Sequence, residues 1–312
     1  MQPDRQLLIA SPRGFCAGVE RAIDVVERLL EQRGAPIYVR KEIVHNQAVV
    51  ADFRRRGVVF VEELDEVPDG AMVVFSAHGI SPAVRREAEL RGLATVDATC
   101  PLVTKVHRGV QRHARAGRRI ILIGHEGHDE VLGTTGEAPD AITLVTSCED
   151  VASLDLPDDE EIAYVTQTTL SVDETAQIVA ALRKRFPRLV EPRRSDICYA
   201  TQNRQDAVKE LLRQGVTHLL VVGSANSSNS QRLGEAARRL GATATLVDGP
   251  DDVDLALLGG HRLVGLTAGA SAPEHLVQAV VTKLSAAGYA PREVTVLEED
   301  VRFSLPPELH SD

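Results

Sequence analysis

Short runs of three to five apolar residues recur along the chain, and polar or glycine-containing segments follow them. Runs of this length that are bounded by such segments are typical of strands buried inside a sheet. The pattern predicts strands at residues 7–10, 37–39, 58–61, 72–75, 120–123, 142–145, 162–165, 219–222, 244–247 and 263–266, and a short extended run at 95–97 leads to Cys100.

Amphipathic helices are predicted between these strands. Val19, Ala22, Ile23, Val26 and Leu30, for example, recur at helical spacing before Gly34. Strands that alternate with helices indicate parallel sheets with right-handed crossovers, so the predicted fold class is α/β with mainly parallel sheets.

An internal repeat of about 95 residues is visible in the order of these elements. A cysteine precedes one helix in each third of the chain (Cys16, Cys100 and Cys198), and Gly34, Gly117 and Gly215 follow 18, 17 and 17 residues later. The repeat predicts three pseudo-equivalent α/β domains at 18–100, 101–197 and 1–17 with 198–290, followed by a C-terminal tail at 291–312. Because ligands bind beyond the carboxyl ends of parallel strands, the polar segments there are expected to surround one cavity.

Charge and composition exclude some classes of partner. The net charge is −10 and only ten residues are aromatic, which argues against nucleic acid as a partner. No apolar run is long enough for a membrane span, and the N-terminal residues do not resemble a signal peptide. A cytoplasmic protein without a membrane partner is therefore expected.

The cysteines of the repeat are candidate metal ligands, although any one of them taken alone would be interpreted as a buried thiol. A helix N-terminus stabilises thiolate, and three thiolates suit a 4Fe–4S cluster with one open iron that has no protein ligand. A three-cysteine zinc site with a bound water is the competing interpretation. Cys148 has no counterpart in the other thirds and is predicted not to be a ligand.

Histidine, serine and asparagine side chains follow several of the predicted strands. Each of them taken alone is typical of an ordinary helix cap or a solvated loop. Together they predict an anion site, with a diphosphate as its natural ligand, in a chain that lacks the P-loop motif. The residues are His45, His78, His125, His128, Ser227, Ser228, Asn229 and Ser271.

Two further features suggest catalysis and electron transfer. Glu130 lies close to His128 in sequence and suits a proton donor, and Thr168 suits the orientation of a hydroxyl group or water, although both also suit helix starts. Residues 101–125 contain six Lys or Arg residues and no acidic residue. A solvated helix explains this run, and a docking surface for an acidic electron-transfer partner is the alternative.

Nine separate motifs, spread in order over nearly the whole chain, closely resemble the IspH (LytB) family of reductases. They lie at residues 13–19, 44–46, 76–79, 97–103, 127–131, 166–171, 197–201, 226–230 and 268–273.

This resemblance implies a trefoil of three α/β domains around a 4Fe–4S cluster held by Cys16, Cys100 and Cys198. It implies that the hydroxyl group of 4-hydroxy-3-methylbut-2-enyl diphosphate binds the open iron. Two electrons and two protons then remove it as water, which yields isopentenyl and dimethylallyl diphosphates in the last step of the methylerythritol phosphate pathway.

The family pattern also implies roles for single residues. His45, His78, His128, Thr168, Ser227, Ser228, Asn229 and Ser271 would bind substrate, with Glu130 and Thr168 catalytic. His128 rather than His125 is expected to touch the substrate. Reduced ferredoxin or flavodoxin would supply electrons to a monomer or weak homodimer, and the tail would help to cover the site.

Two other functions fit the same features. A lyase or synthase would use the open iron only as a Lewis acid, and quinolinate synthase is similar in having three pseudo-equivalent domains with one cysteine each. An iron–sulfur redox sensor is the non-enzymatic alternative, but a sensor would not require a cavity rich in anion-binding groups.

Overall fold

The structure, a computed structural model, describes residues 5–309. Every pairing between its strands is parallel, and the predicted α/β class with parallel sheets is confirmed. The strands are β1 Arg5–Ser11, β2 Ile37–Arg40, β3 Val58–Val61, β4 Met72–Phe75, β5 Ala94–Asp97, β6 Arg119–Ile123, β7 Ile142–Val145, β8 Ile162–Thr166, β9 His218–Val222, β10 Thr243–Val247, β11 Leu263–Ala268 and β12 Tyr289–Thr295.

Helices connect the strands, and single 3₁₀ turns lie at Leu64–Glu66, Pro250–Asp252 and Pro307–Leu309. The α-helices are α1 Ala17–Arg33, α2 Gln47–Arg55, α3 Pro82–Leu90, α4 Pro101–Arg115, α5 Asp129–Thr135, α6 Cys148–Ser153, α7 Val172–Arg185, α8 Tyr199–Arg213, α9 Ser228–Arg239, α10 Leu255–Leu258 and α11 Glu274–Ala286. Within the part of the chain that the structure describes, none of them combines the length and the apolar character of a membrane-spanning helix.

The predicted repeat is visible in the strand order of the three sheets, which is β3-β2-β4-β5, β7-β6-β8 and β10-β9-β11-β1-β12. Each sheet contains the same three-stranded core, in which the first strand in sequence lies between the second and the third. An extended segment that leads to a cysteine pairs with the third strand of each core. These segments are β5 before Cys100, β1 before Cys16, and the bridge of Val190 to Ala163 before Cys198.

Each of the three helices after a cysteine ends near a glycine with a left-handed backbone, as predicted. The φ angles are 74° at Gly34, 71° at Gly117 and 93° at Gly215. A positive φ at this position is the usual way to end a helix, and glycine adopts it without steric cost.

The five-stranded sheet has an apolar core on each face. Leu7 and Ile9 of β1 belong to the core that α11 covers, whereas Leu8 and Ala10 belong to the core that α8 and α9 cover. Alternate residues of a strand point to opposite faces, so a strand buried on both sides requires the continuous apolar run that the sequence shows.

The chain forms two compact units. Among the described residues, one unit contains 5–19, His45–Asp52 and Tyr199–Arg302, and includes the five-stranded sheet. The other contains Glu20–Val44, Phe53–Cys198 and 303–309, and includes the four-stranded and three-stranded sheets. The three domain ranges derived from the repeat stay a prediction.

One strand was not predicted. β12 pairs only with β1, at the edge of the five-stranded sheet, and includes residues 291–295 of the predicted tail. Pro291, Arg292 and Glu293 in its centre are exposed, and proline is tolerated in edge strands because its missing N–H need not face a partner. Its sequence therefore lacks the apolar run of an interior strand.

Candidate active site

The three cysteines occupy equivalent positions in the backbone. Each immediately precedes a helix, α1, α4 or α8, and each main-chain N–H donates to the carbonyl oxygen of the residue two positions past the end of a strand. These bonds join Cys16 to Ala270 (3.2 Å), Cys100 to Ala77 (3.0 Å) and Cys198 to Thr168 (3.1 Å). The cysteine backbones are thus tied to the segments that contain Ser271, His78 and Thr168.

The side chains of Cys16, Cys100 and Cys198 are partly exposed, and none of them is in a disulfide. Such a donor set suits an iron–sulfur cluster. Cys148, by contrast, is exposed as the first residue of the six-residue helix α6, which Ser147 caps.

Glu130 is a buried carboxylic acid at the start of α5. Its side chain is 2% exposed, and it accepts hydrogen bonds from the N–H of Thr168 (2.6 Å) and from Thr168 Oγ1 (2.9 Å). Burial raises the pKa of Glu130 to about 7, although both bonds from Thr168 favour the charged form. The carboxyl group therefore exchanges its proton near neutral pH, as a general acid requires.

Thr168 connects this acid with a cysteine. It donates two hydrogen bonds to Glu130, while its carbonyl oxygen accepts the N–H of Cys198. The neighbouring Gln167 is also buried, and its Oε1 accepts the N–H of His125 at 3.0 Å. The segment after β8 is therefore held on both sides by specific hydrogen bonds.

His78 and His128 lie next to each other, with ring centroids 5.8 Å apart and the rings almost perpendicular. His128 caps α5, because its Nδ1 accepts the N–H of Glu130 at 3.1 Å. In a neutral imidazole, an Nδ1 that accepts a hydrogen bond leaves the ring proton on Nε2. Ser76 Oγ lies 3.3 Å from His78 Nδ1.

Hydroxyl groups gather at the start of α9 in the other compact unit. Ser227 caps the helix by accepting the N–H of Ser230 at 3.4 Å, and Ser271 Oγ lies 3.5 Å from Ser227 Oγ. Ser271 also donates to the carbonyl oxygen of His45 at 2.8 Å. Hydroxyl groups beside free helix N–H groups can hold a phosphate.

Asn229 holds this group of residues in place. Its Oδ1 accepts the N–H of Ala270 at 2.9 Å, and its Nδ2 donates to Thr201 at 3.3 Å. Helix α9 packs closely against the backbone at Gly269, because a Cβ on this residue would lie 1.9 Å from Ser230 Oγ. Only glycine therefore fits at position 269.

The predicted site residues thus fall into two sets, each within one compact unit. We call Glu130, Thr168, His78 and His128 the acid set, and Ser227, Ser228, Asn229, Ser271 and His45 the hydroxyl set. Cys100 and Cys198 belong to the unit of the acid set, and Cys16 to the unit of the hydroxyl set.

Sequence reasoning missed Arg204, whose side chain is fully buried on α8. Its guanidinium donates to the carbonyl oxygens of Gly14 and Phe15, immediately before Cys16. A signal was present, because Arg204 stands between Ala200 and Val208 on the buried face of its helix. A charged residue in an apolar stripe indicates a specific buried partner.

Comparison with known families gives one match, to the LytB protein family over residues 7–285. Two similar curated proteins are both named 4-hydroxy-3-methylbut-2-enyl diphosphate reductase. The relative from Bordetella pertussis is 60% identical over 97% of this chain and 93% of its own length. The relative from Azoarcus sp. strain BH72 is 57% identical over 98% of each chain.

Two solved structures are also similar. The E-1-hydroxy-2-methyl-but-2-enyl-4-diphosphate reductase from Plasmodium falciparum has a TM-score of 0.96 and 40% identity, over 98% of this chain and 97% of its own. An (E)-4-hydroxy-3-methyl-but-2-enyl diphosphate reductase, described as the terminal enzyme of the non-mevalonate pathway, has a TM-score of 0.64 and 28% identity, over 90% of this chain and 99% of its own.

Proposed function

The chain belongs to the LytB family, and on this basis we propose that it reduces (E)-4-hydroxy-3-methylbut-2-enyl diphosphate to isopentenyl and dimethylallyl diphosphates. Two electrons and two protons replace the hydroxyl group of the substrate with hydrogen and release water. The main structural support is a chain of hydrogen bonds through Thr168. Its N–H donates to Glu130, a buried acid with a pKa of about 7, and its carbonyl oxygen accepts the N–H of Cys198.

Cys16, Cys100 and Cys198 hold a 4Fe–4S cluster in this proposal. When bound, the cluster supplies the electrons and, at the iron without a protein ligand, a Lewis acid for the substrate hydroxyl. The equivalent placement of the three thiols, each partly exposed before a helix, supports this ligand set.

Glu130 supplies a proton from its carboxyl group. Because burial raises the pKa of Glu130 to about 7, this group can hold a proton near neutral pH, whereas an ordinary glutamate would be ionised. Thr168 holds the carboxyl group in one orientation through its N–H and its hydroxyl. The position of the acid is therefore set before substrate arrives, which is what general acid catalysis needs.

The hydroxyl set binds the diphosphate, together with His78 and His128. Ser227 lies at the start of α9 with the Ser271 hydroxyl beside it, and His128 accepts a hydrogen bond at Nδ1, which places its ring proton on Nε2. Uncharged polar groups and a helix N-terminus suit an anion that carries several negative charges.

Anaerobic purification and a reductant assay test the proposed function. A brown protein that oxidises reduced viologen only when the allylic diphosphate is present supports the reductase. Turnover without reductant would indicate a lyase, and colour without turnover would indicate a sensor. A colourless protein that contains zinc would overturn the cluster itself.

Replacement of single cysteines tests the ligand set. Cys100→Ser is expected to lose iron and activity, because an alcohol is a much weaker iron ligand than a thiolate. Cys148→Ser is the matched control and is expected to keep the iron content and activity of the wild type. Full iron content in Cys100→Ser would contradict the proposed ligation.

A reduced ferredoxin or flavodoxin delivers the electrons in this proposal, and the exposed face of α4 is its docking surface. Lys105, Arg108, Arg112 and Arg115 are exposed at helical spacing on the helix that begins after Cys100. Acidic partners are attracted to such a stripe, and salt weakens the attraction.

The double replacement Arg112→Glu and Arg115→Glu tests this surface. Turnover with an acidic protein donor is expected to fall about tenfold at low salt, since like charges then face the partner. Turnover with reduced viologen, which needs no docking, is expected to stay unchanged and serves as the control. Equal loss with both donors would exclude this docking surface.

A further inference from the structure

Three cations donate hydrogen bonds to main-chain carbonyl groups just before the three cysteines. Each bond lies within one compact unit. The bonds run from Arg21 to Thr99 (3.1 Å), from Lys105 to Ser195 (2.7 Å) and Arg194 (3.2 Å), and from Arg204 to Gly14 (2.7 Å) and Phe15 (3.3 Å).

The cations occupy equivalent places in the repeat. Arg21 and Lys105 each lie five residues after a cysteine, and Arg204 lies six residues after one, in the helices α1, α4 and α8. The helix after Cys16 thus reaches the segment before Cys100, the helix after Cys100 reaches the segment before Cys198, and the helix after Cys198 reaches the segment before Cys16. Because the same contact occurs before all three cysteines, we interpret it as a feature of the cysteine loops and not as three unrelated surface contacts.

Each cation has a second partner that fixes its direction. Arg204 pairs with Glu299 (3.0 Å), Lys105 pairs with Asp196 (3.1 Å), and Arg21 donates to the carbonyl oxygen of Ser304 (2.8 Å). The Arg204 side chain is 0% exposed, so burying its charge carries a desolvation cost. A buried ion pair of this kind adds little net stability to the fold. Its main effect is to fix the position of the Arg204 guanidinium next to the carbonyl groups of Gly14 and Phe15.

Each cysteine loop is held by hydrogen bonds on two sides. The N–H of each cysteine is bonded to the segment after a strand, and the carbonyl groups before it are bonded to a cation.

We infer that Arg21, Lys105 and Arg204 are positioning residues that hold the three cysteine loops in the conformation that retains iron. This inference rests on the proposed iron–sulfur cluster. None of the three cations is a ligand or a proton donor in the proposed reaction. Their expected contribution is to iron retention, which can be measured without turnover.

The experiment compares Arg21→Met and Lys105→Met with the charge-preserving variants Arg21→Lys and Lys105→Arg. The wild type and each variant are reconstituted anaerobically, and the loss of cluster absorbance is followed after a chelator is added. The Met variants are expected to lose iron about tenfold faster, which is the lower range for groups that orient metal ligands. The charge-preserving variants are expected to recover most of the retention.

Arg28→Met on α1 and Arg213→Met on α8 are the matched controls, since both arginines are exposed and neither is bonded to a segment before a cysteine. Both controls are expected to retain iron like the wild type. Lys105 has a side chain that is 42% exposed, but Lys105→Met also leaves the carboxylate of Asp196, which is 4% exposed, without its ion-pair partner. Lys105→Arg keeps that ion pair and controls for its loss.

A second measurement follows the loops themselves. Hydrogen exchange of residues 194–198 is expected to be faster in iron-free Lys105→Met than in the iron-free wild type, because two carbonyl groups lose their donor. If Lys105→Met changed neither the hydrogen exchange nor the iron retention, the positioning role would be overturned and the proposed function would still stand. A wild-type chain that takes up no iron would overturn the proposed function, and the inference with it.

Discussion

The acid set contains a carboxyl group that titrates near neutral pH, whereas the serine and asparagine side chains of the hydroxyl set do not titrate. In the acid set, burial raises the pKa of Glu130 to about 7. In the hydroxyl set, Ser227, Asn229 and Ser271 are uncharged, and hydrogen bonds to each other and to the main chain position them. The first set can give up a proton, whereas the second can bind charge without changing its own.

This difference separates catalysis from binding. A change to Glu130 or Thr168 of the acid set is expected to act on the turnover number and on its pH dependence, because the proton moves only during the reaction. A change in the hydroxyl set is expected to act on KM, because the diphosphate is bound equally before and during the reaction.

Glu130→Gln is expected to reduce kcat about a thousandfold with little change in KM, since general acid catalysis typically contributes 10²–10⁴-fold. Glutamine has nearly the same shape but has no proton to give. Single-turnover kinetics with reduced protein measure the effect, and an unchanged iron content controls for damage to the cluster. Near-normal turnover would refute the role of Glu130.

The double variant Ser227→Ala and Ser271→Ala is expected to raise KM about a hundredfold or more, because hydrogen bonds to a charged group are typically worth roughly 1.5–3 kcal/mol each. The turnover number at saturating substrate is expected to remain close to that of the wild type. Ser153→Ala, which lies on α6 outside both sets, is the control. A fall in kcat without a change in KM would break the division between the two sets.

Thr168→Val is expected to move the pH dependence of turnover. Wild-type turnover should fall as pH rises through about 7, because Glu130 then loses its proton. The Thr168 hydroxyl favours the charged carboxylate, so removing it raises the pKa of Glu130, and the fall in turnover should move up by about one pH unit. Thr168→Ser keeps the hydroxyl and should keep the wild-type profile.

The hydroxyl set gives the matching control for pH. The profile of Ser271→Ala is expected to fall at the same pH as that of the wild type, since this residue does not titrate. A shift in Ser271→Ala equal to that in Thr168→Val would show that the two sets are not independent. In Glu130→Gln, the residual rate is expected to lack the fall near pH 7.

Several parts of the site were predictable from sequence because they are local. Cys16, Cys100 and Cys198 each precede a helix that ends near a glycine, and both signals lie within about 20 residues. The interior strands were predictable because burial on both faces demands an apolar run, as in β1 and β9. β12 was missed because an edge strand makes no such demand, and its central residues are polar.

Contacts between distant segments were decided only by the tertiary structure. The hydrogen bonds of Thr168 to Glu130 span 38 positions, and those of Arg204 to Gly14 span 190. A residue type and its neighbours specify a turn or a cap, but the pKa of Glu130 depends on which atoms exclude water from it. The sequence alone determined the repeated elements and the residue types at strand ends. Packing decided which of those side chains meet, because burial and hydrogen-bond partners are properties of the folded chain and not of local spacing.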